Sequence, residues 1–180
     1  MDKKNLLIAV LIGASFTAFS QDKIPVDLKE NQFYITILEP GISFEKKLAA
    51  NQSLLFNAGL TTLSEADTDD FSISLNPVIT GDFRNYYSRK RVKKELNSNS
   101  GNYVALRAGY YFDAIAEDLE AGTIDATQSF FMGPVWGIQR NYKSGIHLGF
   151  SIGGGISTGK YQDIGFTGLG QFHLGFAIGK

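Results

Sequence analysis

Residues 146–156 read Ile-His-Leu-Gly-Phe-Ser-Ile-Gly-Gly-Gly-Ile, with a large apolar residue at almost every second position. The positions between them hold Gly, Ser and one His. Successive side chains of a β-strand point to opposite faces, so this stretch predicts a strand with one apolar face and one small, polar face. Half-exposed strands of soluble proteins usually carry long, hydrated side chains on the polar face. The small residues predict a crowded interior, as in a narrow transmembrane β-barrel with its apolar face outward.

The same period recurs along the chain and gives a strand count. Residues 172, 174, 176 and 178 are Phe, Leu, Phe and Ile, and turn-forming residues separate the earlier segments. The pattern predicts strands near residues 42–48, 53–64, 71–91, 101–113, 127–142, 145–157 and 167–179. Bacterial barrels use an even number of strands, so we place another at 32–38. The sequence predicts an all-β fold, an eight-stranded antiparallel up-and-down transmembrane β-barrel over residues 32–180.

The first twenty residues predict a cleaved signal peptide. A basic start, an apolar run over residues 6–14 and Ala18-Phe19-Ser20 match a secretory signal, and residues 21–31 are then a short N-terminal periplasmic segment. Cleavage removes two Lys and one Asp, so 17 basic and 18 acidic residues become 15 and 17, a net charge of −2. That balance argues against a nucleic-acid partner. The chain has no Cys, which excludes disulfides and thiol chemistry.

Connection lengths predict the orientation of the barrel. Residues 49–52 and 143–145 form short connections, whereas 114–126 and 158–166 form long, hydrophilic or Gly-rich ones. Short turns of outer-membrane barrels face the periplasm and long loops face the exterior. With eight strands, both termini lie on the periplasmic side. The predicted location is the cell outer membrane.

Alternation places several charged residues inside the barrel. Glu45, Asp82, Arg84 and Arg107 share the inward face with Gln139. A lone buried charge is costly, so we expect Glu45 or Asp82 to pair with Arg84 or Arg107 across the lumen. Such a cluster can gate a pore or plug it. We favour a structural plug, because an eight-stranded interior only just accommodates its side chains.

Two other charged groups lie at the predicted ends of the barrel. The run Arg89, Lys90, Arg91, Lys93 and Lys94 forms a periplasmic basic turn, which either stays hydrated as a strand anchor or contacts anionic headgroups. The opposite end carries acidic residues at 65, 67, 69, 70, 117, 118, 120 and 125. An acidic external rim can bind divalent cations together with lipopolysaccharide phosphates, although it has no calcium-loop spacing.

Aromatic residues cluster near both predicted ends of the strands. One group comprises Tyr86, Tyr87, Tyr103 and Tyr142, and the other comprises Tyr110, Tyr111, Phe130 and Phe131. Their positions predict girdles at the two membrane interfaces. Ordinary cross-strand aromatic pairing is the alternative.

No motif predicts catalysis, a metal site or a cofactor. Residues 154–160 read Gly-Gly-Ile-Ser-Thr-Gly-Lys but are followed by Tyr161 and no helix, which argues against a phosphate-binding loop. His147 and His173 are the only histidines. A hairpin centred near Gln162 places them more than about 10 Å apart, too far for one metal ion. That register sets Ser151 opposite His173, but a catalytic pair needs a third, orienting group, which the sequence does not supply.

Two segments give the chain a resemblance to a known family. One is Asp82-Phe83-Arg84-Asn85-Tyr86-Tyr87, followed by a basic turn and Asn99-Ser100-Gly101-Asn102-Tyr103; the other is Trp136-Gly137-Ile138-Gln139-Arg140-Asn141. Both resemble segments of small outer-membrane β-barrel proteins of the Bacteroidota, and the likeness covers about residues 40–180. The family usually has Glu-Pro directly before its Arg, where this chain has Asp82-Phe83. The resemblance implies the fold and the location, and it carries no functional residues over.

We therefore expect a monomeric outer-membrane β-barrel with a plugged polar lumen and a structural or surface-interaction role, without catalysis. Its expected partners are the lipid bilayer, lipopolysaccharide and the outer-membrane assembly machinery, although the chain ends in Gly-Lys and not in the aromatic residue common in such proteins. One alternative is a lipid A- or phospholipid-modifying enzyme on the same barrel. Another is a soluble, lipocalin-like binder of an apolar ligand, in which the two faces are inverted.

Overall fold

The computed structural model describes residues 27–66, 71–87, 96–117, 128–159 and 162–178, and these form β-strands joined by turns. The strands are β1 (Asn31–Leu38), β2 (Gly41–Ala49), β3 (Gln52–Ala66), β4 (Phe71–Tyr87), β5 (Gly101–Tyr111), β6 (Ala116–Glu117), β7 (Ser129–Asn141), β8 (Ile146–Gly159) and β9 (Gln162–Ile178). Within the described ranges there is no helix long and apolar enough to cross a membrane.

The eight long strands close into a ring. Each pairs antiparallel with the next long strand in the chain, β5 pairs with β7, and β9 pairs with β1 to complete the circle. The two-residue strand β6 pairs with β4 alongside the ring, through Ser74 opposite Glu117. The predicted all-β architecture of eight antiparallel strands is confirmed, whereas β6 was not predicted.

The last hairpin is longer than the sequence pattern suggests. We predicted a long connection over residues 158–166, but β8 and β9 continue pairing as far as Gly159 opposite Gln162. The connection is only residues 160–161, so the predicted long loop is wrong. Gly and Ser have low strand propensity, yet each extra pair satisfies backbone hydrogen-bonding groups, which outweighs that preference here.

Burial alternates along most of the strand residues whose burial is described, and it identifies the inner and outer faces. On β8, His147 and Ser151 are each only 2% exposed, whereas Phe150 is 42% exposed. On β9, Phe176 is 49% exposed and its neighbour Gly175 is buried. On these parts of β8 and β9 the large apolar side chains therefore lie outside the ring, and the small and polar ones lie inside it.

The same alternation corrects the predicted aromatic girdles. Tyr86, Tyr103 and Phe131 are buried inside the ring, and Tyr111 stacks on Phe131 with ring centroids 4.4 Å apart. These four residues are not interfacial, so the girdle prediction is wrong for them. Adjacent residues of a strand must face opposite sides, which means that a Tyr-Tyr pair places only one ring outside.

The two ends of the ring carry different connections between strands. The end where β1 begins and β9 ends, here called the terminal end, also carries the connections from β2 to β3, β4 to β5 and β7 to β8. The other end, here called the opposite end, carries the short turn Glu39–Pro40 and the hairpin connection at 160–161. The polar interior described below lies nearer the terminal end.

Candidate functional site

Asp82 lies between two arginines inside the ring. Asp82 on β4 is directly opposite Arg107 on β5, and Arg84 lies two residues further along the same face of β4. Arg107 donates from Nε to Oδ1 of Asp82 at 2.7 Å and from Nη2 to Oδ2 at 2.8 Å. Arg84 donates from Nε and Nη2 to Oδ2 at 3.2 and 3.0 Å. All three side chains are almost fully buried, so one carboxylate serves two guanidinium groups.

Glu45 on β2 is also fully buried, and its carboxylate accepts five hydrogen bonds from neutral groups. The donors, with donor–acceptor distances, are Tyr34 (2.7 Å), Ser53 (2.6 Å), Tyr86 (2.7 Å), Asn99 (2.9 Å) and Gln139 (3.0 Å). Among the described residues no cation lies within ion-pairing distance of Glu45. Hydrogen-bond donors therefore replace both the hydration shell and a counter-ion around this carboxylate.

Gln139 on β7 joins the two carboxylate centres into one network. Its Nε2 donates to Glu45, while its Oε1 accepts a hydrogen bond from Nη1 of Arg84 at 2.8 Å. The guanidinium of Arg84 also lies 4.3 Å from the centroid of the Tyr103 ring, a cation–π contact. Two carboxylates and two guanidinium groups balance, so the network is electrically neutral. It connects strands from opposite sides of the ring.

A loop residue completes this network at the terminal end. Asn99 precedes β5, is fully buried, and has a φ of 58°, in the left-handed region that Asn tolerates better than most residues. Its backbone N–H donates to the carbonyl of Asp27, and its Oδ1 accepts from the backbone N–H of Lys29 at 2.8 Å. Asn99 thus links the segment before β1 to the segment before β5 at the terminal end, and its side chain also contacts Glu45.

A third acidic side chain, that of Glu39, lies at the opposite end. Glu39 forms part of the turn between β1 and β2, with a φ of 54°. The Thr61 hydroxyl is 3.5 Å from its Oε1, and no described residue forms a hydrogen bond with its Oε2. Burial raises the pKa of the Glu39 carboxyl, and the Thr61 hydrogen bond only partly opposes this.

The two histidines are closer than the sequence-based register predicted. His147 pairs with Gly175 and His173 pairs with Gly149, so the two are two residues out of register and their ring centroids are 6.3 Å apart. The predicted separation of more than about 10 Å is wrong, because the turn is centred at residues 160–161 and not near Gln162. The residue opposite Ser151 is Gln171, not His173.

His147 is held by other interior groups. Its Nδ1 lies 2.7 Å from Oδ1 of Asn141, and its ring packs on Tyr34 with centroids 4.2 Å apart. In the described part of the chain, no group of three or more His, Cys, Asp or Glu side chains is arranged to hold a metal ion.

Two small cavities border the charged network, and each has a volume of about 10 Å³. One lies between Arg107, Tyr111 and Phe131, and the other between Arg84, Ser151 and His173. A volume near 10–15 Å³ is what a single water molecule needs. These two spaces are too small for a substrate or for a file of hydrated ions.

The sequence predicted four inward-facing charged residues, and in the structure three of them form one ion-paired cluster. Asp82 pairs with Arg84 and Arg107, while Glu45 joins them only through Gln139. Sequence reasoning missed Tyr34 and Tyr86, although both share the inward parity of their strands. It also missed Asn99, which no period-two pattern can identify because it lies outside a strand. The basic turn formed by residues 89–91, 93 and 94 lies outside the described residues.

Comparisons with protein-family models, with curated proteins and with solved structures found no match to this chain.

Proposed function

We propose that the protein is an outer-membrane β-barrel with a plugged polar interior, serving a structural or surface-interaction role and not a catalytic one. The observation that carries this proposal is the apolar exterior. Every long strand exposes at least one large apolar side chain by 38% or more; one per strand, these are Phe33, Ile42, Phe56, Ile79, Leu106, Met132, Phe150 and Phe172. A continuous apolar surface of this extent is unusual for a soluble monomer and typical of a membrane-facing one.

The extent of this surface along the strands supports the same proposal. On β5 and at Phe112 directly after it, the outward positions from Val104 onward are all apolar or aromatic. Nine residues at about 3.3 Å each, tilted by about 40°, rise about 23 Å, close to the apolar band of roughly 25 Å in outer-membrane barrels. The outward polar residues Lys46, Asn102 and Arg140 lie at the terminal end of this band.

The interior supports a plug and not a pore. The neutral network around Asp82 and Glu45 crosses the ring nearer its terminal end, and each of the two cavities beside it has room for about one water molecule. A conducting barrel needs a continuous aqueous path, which larger barrels provide.

The rest of the proposal concerns placement and partners. Residues 1–20 direct export and are removed, the terminal end faces the periplasm, and the opposite end faces the exterior. The bilayer surrounds a monomer, lipopolysaccharide contacts the external rim, and the outer-membrane assembly machinery inserts the chain. A lipocalin-like binder would need the apolar residues of β8 inside the ring, and those side chains are exposed.

Membrane fractionation tests this proposal. We expect the expressed protein to stay in the outer-membrane pellet after carbonate extraction; release into the supernatant would contradict membrane integration. In planar bilayers, wild-type protein and the Arg107→Ala variant should both lack large conductance steps, and steps from the wild type would contradict the plug. Incubation with labelled lipopolysaccharide followed by mass analysis tests the enzymatic alternative, for which a covalently altered lipid would be the decisive product.

A further inference from the structure

The outer face of the ring carries an apolar groove among the described residues. The groove has a volume of about 600 Å³ and its lining is almost entirely apolar. Its sides are formed by Phe33, Phe44, Phe56, Ile79, Tyr110 and Phe130, which belong to six different strands. A volume of this size falls within the range of small-molecule binding sites.

The groove exists because three neighbouring outward positions carry almost no side chain. Gly81 pairs with Ala108, and Ala58 on β3 lies diagonally next to Gly81 on β4. Around them lie aromatic rings, with those of Phe33 and Phe44 4.8 Å apart. The groove is therefore an aromatic trough: aromatic side chains form its sides, and Ala58, Gly81 and Ala108 form its floor.

A cation lies next to this groove at the terminal end of the ring. Lys46 is two residues beyond Phe44 on β2, faces outward and is exposed. Among the described residues, the ion pairs involve Lys47, Arg84 and Arg107, and no carboxylate lies within ion-pairing distance of the Lys46 ammonium. Two residues of a strand span about 7 Å, which the Lys side chain can bridge toward the groove.

We propose that this groove binds one acyl chain of an anionic glycerophospholipid whose phosphate contacts Lys46. The inference rests on the proposed membrane location, in which the terminal end faces the inner leaflet. Lipid tails are as apolar as the groove, so its selectivity has to come from close packing and from the headgroup charge. The aromatic trough supplies the packing, and Lys46 supplies the charge complementary to a phosphate.

Native mass spectrometry of the delipidated protein tests the proposal, using equal amounts of phosphatidylglycerol and phosphatidylcholine with identical acyl chains. We expect the wild type to retain one lipid and to favour phosphatidylglycerol by about five-fold, the contribution of one Lys near a headgroup. Lys46→Gln should abolish that preference while the matched variant Lys47→Gln, on the neighbouring residue, keeps it.

Filling the groove tests the acyl-chain part. Ala108→Phe should lose both lipids, and Ala58→Phe serves as a second groove-filling variant if the first does not fold. The matched control is Gly170→Phe, which adds a ring to the outer face of β9 where an added Cβ meets nothing within 4 Å. Equal lipid retention by Ala108→Phe and Gly170→Phe, or a dimer in place of the lipid-bound monomer, would overturn the proposal. Carbonate extraction of membranes that contain the same variants separates this outcome from failure of the membrane assignment, since protein that remains integral but binds no lipid refutes the groove alone.

Discussion

Strands β2–β5 and strands β7–β9 line the same interior differently: β2–β5 contribute the charged side chains, whereas β7–β9 contribute many glycines beside larger residues such as Phe131 and His147. The inward positions of the first wall include Glu45, Asp82, Arg84, Tyr86, Tyr103 and Arg107. The corresponding positions of the second wall include Gly133, Gly137, Gly149, Gly153, Gly155 and Gly175. Because a ring of eight strands only just accommodates its side chains, large charged residues on one wall require small residues on the other.

Gly137 shows how directly the walls depend on each other. It pairs with Tyr103, and a Cβ added at Gly137 would overlap the Tyr103 ring. That ring supports Arg84, which in turn binds Asp82. The position of the Arg84–Asp82 ion pair on β4 therefore depends in part on the lack of a side chain at Gly137 on β7. The glycines of β7–β9 are fitted to the interior as closely as the charged residues of β2–β5.

The largest effect is expected on the charged wall. Asp82→Ala leaves two buried guanidinium groups without their carboxylate and should lower the free energy of unfolding by about 3–5 kcal/mol. Urea unfolding in detergent micelles, followed by fluorescence of the single tryptophan Trp136, measures this. The control is Lys47→Ala, which removes an exposed pair with Glu30 at 3.9 Å and should cost under about 1 kcal/mol. Similar losses in the two variants would contradict the central role of Asp82.

An intermediate effect is expected on the glycine-rich wall. Gly137→Leu forces Tyr103 away from its position and should lower the free energy of unfolding by about 1–3 kcal/mol. Gly170→Leu adds the same side chain to open space outside the ring and should change it by less than about 0.5 kcal/mol. The same urea titration compares them. If both variants were equally stable, the proposed size complementarity between the walls would be wrong.

The smallest effect concerns Glu45, which forms no ion pair within the described part of the chain. Tyr86→Phe removes one of five donors to it and should cost about 1.5 kcal/mol, at the low end for hydrogen bonds to charged groups. Tyr110→Phe removes a hydroxyl that donates to Gln128 at 2.8 Å outside the network, and should cost about 0.5–1 kcal/mol. A Tyr86→Phe variant as stable as the wild type would show that the remaining four donors suffice.

Alternation in the sequence identified much of this arrangement. It identified seven of the eight long strands, the even strand count of bacterial barrels supplied the eighth, and it placed Glu45, Asp82, Arg84, Arg107 and Gln139 on inward positions, where the structure buries all of them. The alternation also predicts that Tyr86 and Tyr103 face inward. Their positions near the strand ends instead favoured the interpretation that they lie at the membrane interface. Side-chain direction is a local property of an extended chain, which is why one sequence can specify it.

Pairings across the ring were harder to predict. The register of His147 and His173 depended on the length of the β8–β9 turn, and an error of two residues there changed which side chains are neighbours. The role of Asn99 depends on a loop that folds over the terminal end. Which arginines bind Asp82 depends on the register of β4 against β5, whereas ring closure brings the donors to Glu45 on β1, β3, β4 and β7 around a common axis.

By itself, the sequence determined the strands and the two faces of each, because the period of two is fixed by backbone geometry. Only the tertiary structure decided that Asp82 takes both arginines while Glu45 takes five neutral donors. It also decided that Gly81, Ala58 and Ala108 lie together as the floor of an outer groove. Contacts between distant strands depend on register and closure, and these are set by all eight strands together.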